Sequence, residues 1–226
     1  MNSLIIGAGE VGKALQGILK CEIIDKESKA LENFDVIHIC FPYSPSFISQ
    51  VKTYQKKYKP FYTLIHSTVP IGTCEKVGSY HCPIRGMHPN LENSMLTFVA
   101  YLAPHSTILT EYLNSFGFKI KQVKSSRDTE ALKLFDTLYY FWNIIFEKEV
   151  YSFCKENKLD FNVVYTQGNK TYNEGYEALE RRNVIRPVLS HIAGPVGGHC
   201  LVPNAEILKR QKSRIARILV GLNKTY

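Results

Sequence analysis

The 226-residue sequence predicts an α/β chain in which a doubly wound, mostly parallel sheet is followed by a smaller all-helical domain. Three observations carry that prediction. The chain opens with an apolar strand, a glycine turn and a helical pattern in "SLIIGAGEVGKALQGIL". Apolar runs then alternate with helical patterns over roughly the first 120 residues, as parallel strands joined by crossover helices do. Beyond Lys124 the pattern turns helical, beginning with a stretch of about 30 residues that contains neither Gly nor Pro.

Taken in order, the first strand runs into Gly7, Gly9 and Gly12 in G-x-G-x-x-G spacing, and the helix behind them is marked by Val11, Leu15, Ile18 and Leu19. Glycine suits a tight turn, a backbone that must approach pyrophosphate, and close packing of helix on strand. The helix N-terminus adds amide hydrogens and a positive dipole end. A second strand, "CEIID", ends in Asp25, 13 residues past Gly12, where a carboxylate can accept hydrogen bonds from a ribose. This order predicts a dinucleotide site. Asp25 would repel a 2′-phosphate, which favours NAD over NADP, although Lys13, Lys26 and Lys29 lie nearby. "DVIHICF" reads as a strand buried on both faces and ends in the turn "PYSP". A basic helix follows over 47–59, then the strand "FYTLIH" leading into "STVPIGT". Further strands are expected at "SYHCPI", "TFVAYLA" and "FKIKQV", with a helix over 107–116 between the last two. The long helix has Ser125 or Ser126 as its cap, acids early and lysines late. It sets the domain boundary near residue 125: a dinucleotide-binding Rossmann domain over 1–125, and a helical domain over 126–226 with further helices at 172–182 and 204–222.

Composition narrows the function classes. Hydrophobic residues at 45% and aromatics at 12% suffice for a sizeable core. None of the six cysteines forms a C-x-x-C pair, so no metal site is expected and the thiols are read as free in a reducing cytoplasm. No basic segment precedes an apolar one at the N-terminus, and no run of about 18 apolar residues occurs, so no membrane role is expected. The net charge of +8 would attract phosphates or acidic partners, and a solvated basic surface explains it equally well. Without a zinc-finger spacing, an aromatic RNA-binding signature or a helix-turn-helix, nucleic acid is not expected as a partner. A small-molecule substrate is, together with a homodimer through the helices after residue 125. Their apolar residues, among them Phe141, Trp142, Ile145 and Phe146, exceed what a small helical domain buries alone.

Late in the chain, "GPVGGHCLVPN" places Cys200 between glycines and a proline. It can be read as a nucleophile, a metal ligand or a small buried side chain. A thiolate adds readily to a carbonyl, and flanking glycines let a ligand approach it closely. His199 adjoins it and would point away. His38 and His66, in apolar strand contexts, read as core or strand-end residues, and His88 in "GMHPN" as a turn residue.

With "GAGEVG", "DVIHICFPYSP", "HSTVPIGT", "EALKLFDT" through "FEKEVYSFC", and "GPVGGHC" in that order, the chain resembles the UDP-glucose/GDP-mannose dehydrogenase family, the nucleotide-sugar dehydrogenases, along essentially its whole length. The resemblance implies a 6-phosphogluconate dehydrogenase-like arrangement of Rossmann and helical domains, and NAD as cofactor. Cofactor contacts are implied for Gly7, Gly9, Glu10, Val11, Gly12, Asp25, Lys26, Phe41, Pro42 and Ser67. It further implies that an alcohol, such as one on a nucleotide sugar, is oxidised twice, with Cys200 attacking the intermediate aldehyde. Lys133 would hydrogen-bond the developing alkoxide or shuttle a proton, unless it forms only a surface ion pair with Glu130, three residues earlier on the same helix face. Thr68 would reach toward the reacting centre, Pro70 would shape the cofactor turn, and Glu149 would be structural.

Three positions depart from the family pattern. Asn204 stands where an aspartate follows the cysteine, Ile84 where a glutamate is expected, and Thr137 where the family has asparagine. These changes endanger thioester hydrolysis most. Family members also continue into a further nucleotide-binding domain, so the chain is expected to be a short form without it. Two alternatives therefore stay open: a noncatalytic NAD-binding homologue or partner subunit, and a two-electron dehydrogenase of a small hydroxy acid. "GMHPN" is also similar to the G-x-H-P stretch of prephenate dehydrogenases.

Overall fold

In the computed structural model, which describes residues 1–25, 33–87 and 89–226, five short strands form one parallel sheet. They are β1 (Ser3–Ile6), β2 (Glu22–Ile24), β3 (Val36–Ile39), β4 (Tyr62–Ile65) and β5 (Tyr80–His81), in spatial order β2-β1-β3-β4-β5. The order reverses between β1 and β3. Loops leaving the carboxyl ends of these two strands diverge there, and α/β sheets bind ligands in such a crevice. A second parallel pair, β6 (Val99–Leu102) with β7 (Lys119–Gln122), joins the first sheet through the antiparallel bridge of His81 with Ala103.

The central strands β1, β3 and β4 are mostly apolar because both faces are covered. Successive side chains on a strand point to opposite faces. Ile5 accordingly packs in one core with Leu15, Leu64, Leu109 and Leu113, and its neighbours Leu4 and Ile6 pack in a second with Ile37, Phe47 and Val51. Helices α1 (Glu10–Leu19), α4 (Leu91–Thr97) and α5 (Thr107–Asn114) supply the first core. The second is supplied by α2 (Phe47–Tyr58) and α3 (Thr73–Val77). Each fully buried aliphatic side chain contributes roughly 1.5–3 kcal/mol.

The long helix α6 spans Ser126–Glu156, and the Ser125 hydroxyl accepts from the Arg127 amide at its start. The chain divides into two compact units, Met1–Leu134 and Phe135–Tyr226, and the division falls within α6. In the second unit a π-helical segment, Asn162–Gln167, leads into α7 (Gly168–Ala178), and α8 (Leu201–Arg210) and α9 (Arg214–Leu222) close the fold.

Several elements differ from their sequence expectations. The helix expected over 204–222 is two helices, because Lys212 takes a left-handed φ of 68° and Ser213 caps α9 by accepting from the Ala216 amide at 3.3 Å. No Gly or Pro marks that break. The helix expected over 172–182 begins earlier and ends at Ala178. The short helices α3 and α4 carry too little apolar periodicity to be read from sequence. Among the described residues no helix is long and apolar enough to cross a membrane.

Candidate functional site

At the carboxyl end of β1 the three glycines have distinct physical roles. Gly7 has φ +111°, and a Cβ there would lie 2.7 Å from the Phe41 backbone nitrogen. A Cβ on Gly12 would lie 1.9 Å from the Gly7 carbonyl oxygen, so only glycine lets α1 pack this close to the turn. At Gly9, the N-cap of α1, a Cβ would meet nothing within 4 Å. Two glycines thus build the turn, and the third leaves its outer side open in front of the first amides of α1. Glu10 is exposed and Val11 half-buried beside it. A cleft bordered by Glu10, Lys13, Asn90 and Glu92 lies next to this first turn.

The other expected cofactor positions leave the same edge of the sheet. Asp25 is exposed directly after β2. Lys26 lies outside the described residues, as do Lys29 and His88. Phe41 and Pro42 follow β3, and the Ser67 hydroxyl after β4 donates to the Phe41 carbonyl at 2.6 Å, tying the two strand ends together. Thr68 is half-buried in the same turn.

The first turns of α6 grip this edge. Glu130 is fully buried, and its carboxylate accepts from the Gly72 amide at 2.5 Å and the Cys74 amide at 2.8 Å. It is buried in the core and is no surface residue. Thr129 is 2.8 Å from His81 Nδ1, and His81 Nε2 is 3.3 Å from the Ser67 carbonyl. Burial chiefly, with smaller contributions from His66 and the charge of Lys133, pushes the His81 pKa down to about 3 against the pull of that carbonyl. Lys133 follows one helical turn after Glu130, on the same stretch of α6 as Thr129.

His38 and His66 are core residues, as expected, and they are joined in a chain that sequence reasoning did not foresee. His66 Nδ1 lies 2.7 Å from the Cys82 carbonyl, His66 Nε2 lies 2.9 Å from His38 Nδ1, and His38 Nε2 lies 3.1 Å from the Tyr112 hydroxyl. A carbonyl only accepts, which fixes every tautomer: His66 donates to Cys82, His38 donates to His66, and Tyr112 donates to His38. Burial pushes His66 down to about 4 and His38 well below its ordinary value, so both rings are neutral.

In the second unit Cys200 is exposed at the N-cap of α8, which disposes of its reading as a buried side chain. Among the described residues no cluster of three or more His, Cys, Asp or Glu could hold a metal ion. Asn204 is buried, and its amide donates to the Thr137 hydroxyl at 3.2 Å. Two of the three departures from the family pattern thus form one neutral pair. The third, Ile84, is 7% exposed in the first unit's core. The chain leading to Cys200 is pinned up to Val196. Lys148, itself buried, donates to the Ile192 and Gly194 carbonyls, and Asn223 pairs with both backbone groups of Val196. Glu149 bonds the Tyr226 hydroxyl.

No protein-family model and no curated protein matches the chain. Solved structures do. The UDP-D-ManNAc dehydrogenase from Pyrococcus horikoshii superposes with a TM-score of 0.69 at 18% identity, over 99% of this chain and 68% of that one. A UDP-glucose dehydrogenase from Pyrobaculum islandicum gives 0.69 at 14%, over 100% and 68%. The 3-hydroxyisobutyrate dehydrogenase of Mycobacterium tuberculosis gives 0.68 at 11%, over 100% and 93%. At these identities the likeness is one of fold, and the chain has the dehydrogenase-like Rossmann-plus-helical fold found in both nucleotide-sugar and hydroxyacid dehydrogenases.

Proposed function

We propose that the chain is an NAD-dependent oxidoreductase acting on an alcohol group, of the nucleotide-sugar dehydrogenase type. The observation that carries this reading is the glycine turn, closed at Gly7 and Gly12 and open at Gly9 before α1. That cradle fits a pyrophosphate, which needs close backbone approach and unpaired amides at a helix N-terminus. Asp25, one residue past β2, suits the ribose hydroxyls and disfavours a 2′-phosphate. A bound nicotinamide supplies the hydride acceptor. The remaining chemistry is assigned to the chain: Lys133 takes or holds the hydroxyl proton, Thr68 orients the reacting group, and Cys200 is the thiol that adds to an aldehyde.

A specific observation favours a second reading. The Asn204–Thr137 pair is neutral, so it offers no carboxylate base for thioester hydrolysis, and this supports a reaction that stops after one hydride, as on a small hydroxy acid. The coverage of 93% of the 3-hydroxyisobutyrate dehydrogenase supports it as well. Titration with NADH and NADPH, followed by NADH formation from NAD over a panel of nucleotide sugars and 3-hydroxy acids, separates these readings. No binding of NADH, or tighter binding of NADPH, would sink the cofactor assignment. Binding without turnover of any substrate in the panel would favour a noncatalytic cofactor-binding role.

A further inference from the structure

Glu130 is a fully buried carboxylate, and two backbone donors from one short segment satisfy its two oxygens: the Gly72 amide and the Cys74 amide. A buried carboxylate is retained only where it is richly hydrogen-bonded, and removing it leaves those amides buried without partners. Its grip falls at the end of the irregular stretch between β4 and α3. Gly72 has φ +90° and begins the short α3, directly after the Ser67–Thr68–Val69–Pro70 turn. The same helix face makes two further contacts with this region, Arg127 with Glu75 at 3.3 Å and Thr129 with His81 at 2.8 Å. Lys133 is one helical turn beyond Glu130, and the His81 ring that Thr129 contacts also meets the Ser67 carbonyl. Lys133, a residue type that ordinarily seeks the surface, is half-buried there.

We propose that Glu130 is a positioning residue, whose carboxylate locks the start of α6 onto the Gly72 and Cys74 amides and so fixes the helical turn that carries Lys133 beside the segment following the Ser67–Pro70 turn. That Lys133 serves a reacting alcohol rests on the function proposed above, but the lock itself does not. Glu130→Gln is nearly isosteric. Its amide nitrogen faces a backbone N–H, so one of the two amide contacts is lost. Glu130→Asp keeps both acceptors on a shorter arm.

The test is site-resolved acetylation of the folded full-length chain by N-hydroxysuccinimide acetate across a pH series, with lysines quantified by mass spectrometry and exposed Lys52 and Lys121 as internal references. In Glu130→Gln the Lys133 rate is expected to rise about threefold or more relative to the references, with its pH profile displaced, and Glu130→Asp is expected to lie between Gln and wild type. An unchanged Lys133 rate in a folded Gln variant overturns the proposal, as does a rise shared by all three lysines. If Gln does not fold, Asp is judged by the same criteria, and loss of folding in both reduces Glu130 to a stability role and also overturns it. An NADH titration of the wild-type chain runs alongside. Its failure removes the dinucleotide reading and leaves the lysine result standing.

Discussion

Lowering the pH from 7.5 to 5.5 is expected to destabilise the first unit by about 3 kcal/mol or more through its buried histidines. His38, His66 and His81 are each at most 2% exposed and are held neutral: His66 near 4, His81 near 3 and His38 well below its ordinary value. An unfolded histidine titrates near 6.5. The folded values are depressed, so between about pH 4 and 6.5 the unfolded chain binds protons that the native chain does not. Stability is then fully present above 6.5 and falls as the pH drops. At pH 5.5 an unfolded histidine is stabilised by about 1.4 kcal/mol relative to the neutral ring, so His66 and His81 together give about 3, and His38 adds in the same direction. This is a large share of the 5–15 kcal/mol of an ordinary domain. The window lies above the ordinary carboxylate range, which isolates the imidazoles. Urea unfolding followed by circular dichroism at both pH values measures the difference. His38→Gln, His66→Gln and His81→Gln should each lower overall stability, yet the last two should each remove about 1.4 kcal/mol from the pH dependence and His38→Gln should reduce it in the same direction. A wild-type difference below about 1.4 kcal/mol, or an unchanged difference in all three variants, would refute the neutral-core argument.

Gly12→Ala, with its new methyl 1.9 Å from the Gly7 oxygen, should cost about 3 kcal/mol or more in unfolding experiments, whereas Gly9→Ala should leave stability within about 0.5 kcal/mol and weaken NADH binding about tenfold by calorimetry. Cys200→Ser should leave NADH affinity nearly unchanged while abolishing any acid formation, and Asn204→Asp should raise acid relative to aldehyde in product analysis by mass spectrometry. Phe135, Tyr139, Trp142 and Phe146 are exposed at alternating four- and three-residue spacing on α6, which suits packing against a second helix. Trp142→Glu should therefore lower the light-scattering mass at micromolar concentration from dimer toward monomer, and a wild-type mass at the monomer value would count against self-association.

The sequence by itself determined the sheet, the glycine turn and the long helix, because each is written in local periodicity. A strand buried on both faces must be apolar, a G-x-G-x-x-G turn must be glycine, and a helix without Gly or Pro continues. It also marked Cys200, whose glycine setting is unusual for a structural thiol. What it could not show depends on residues far apart in the chain. Glu130 reads as one of many helical acids until Gly72 and Cys74, nearly 60 residues earlier, are folded against it. His38, His66 and Tyr112 come from three separate elements, and their hydrogen-bond polarity is set by a carbonyl on a fourth segment. Asn204 and Thr137, read from sequence as two independent losses, are one hydrogen-bonded pair. The break between α8 and α9 has the same origin. Lys212 takes a left-handed backbone and Ser213 caps the next helix only because the packing of α8 on α9 outweighs a helical pattern that would otherwise run on. Periodicity is a local property. Satisfying a buried charge or imidazole is settled only when distant segments meet.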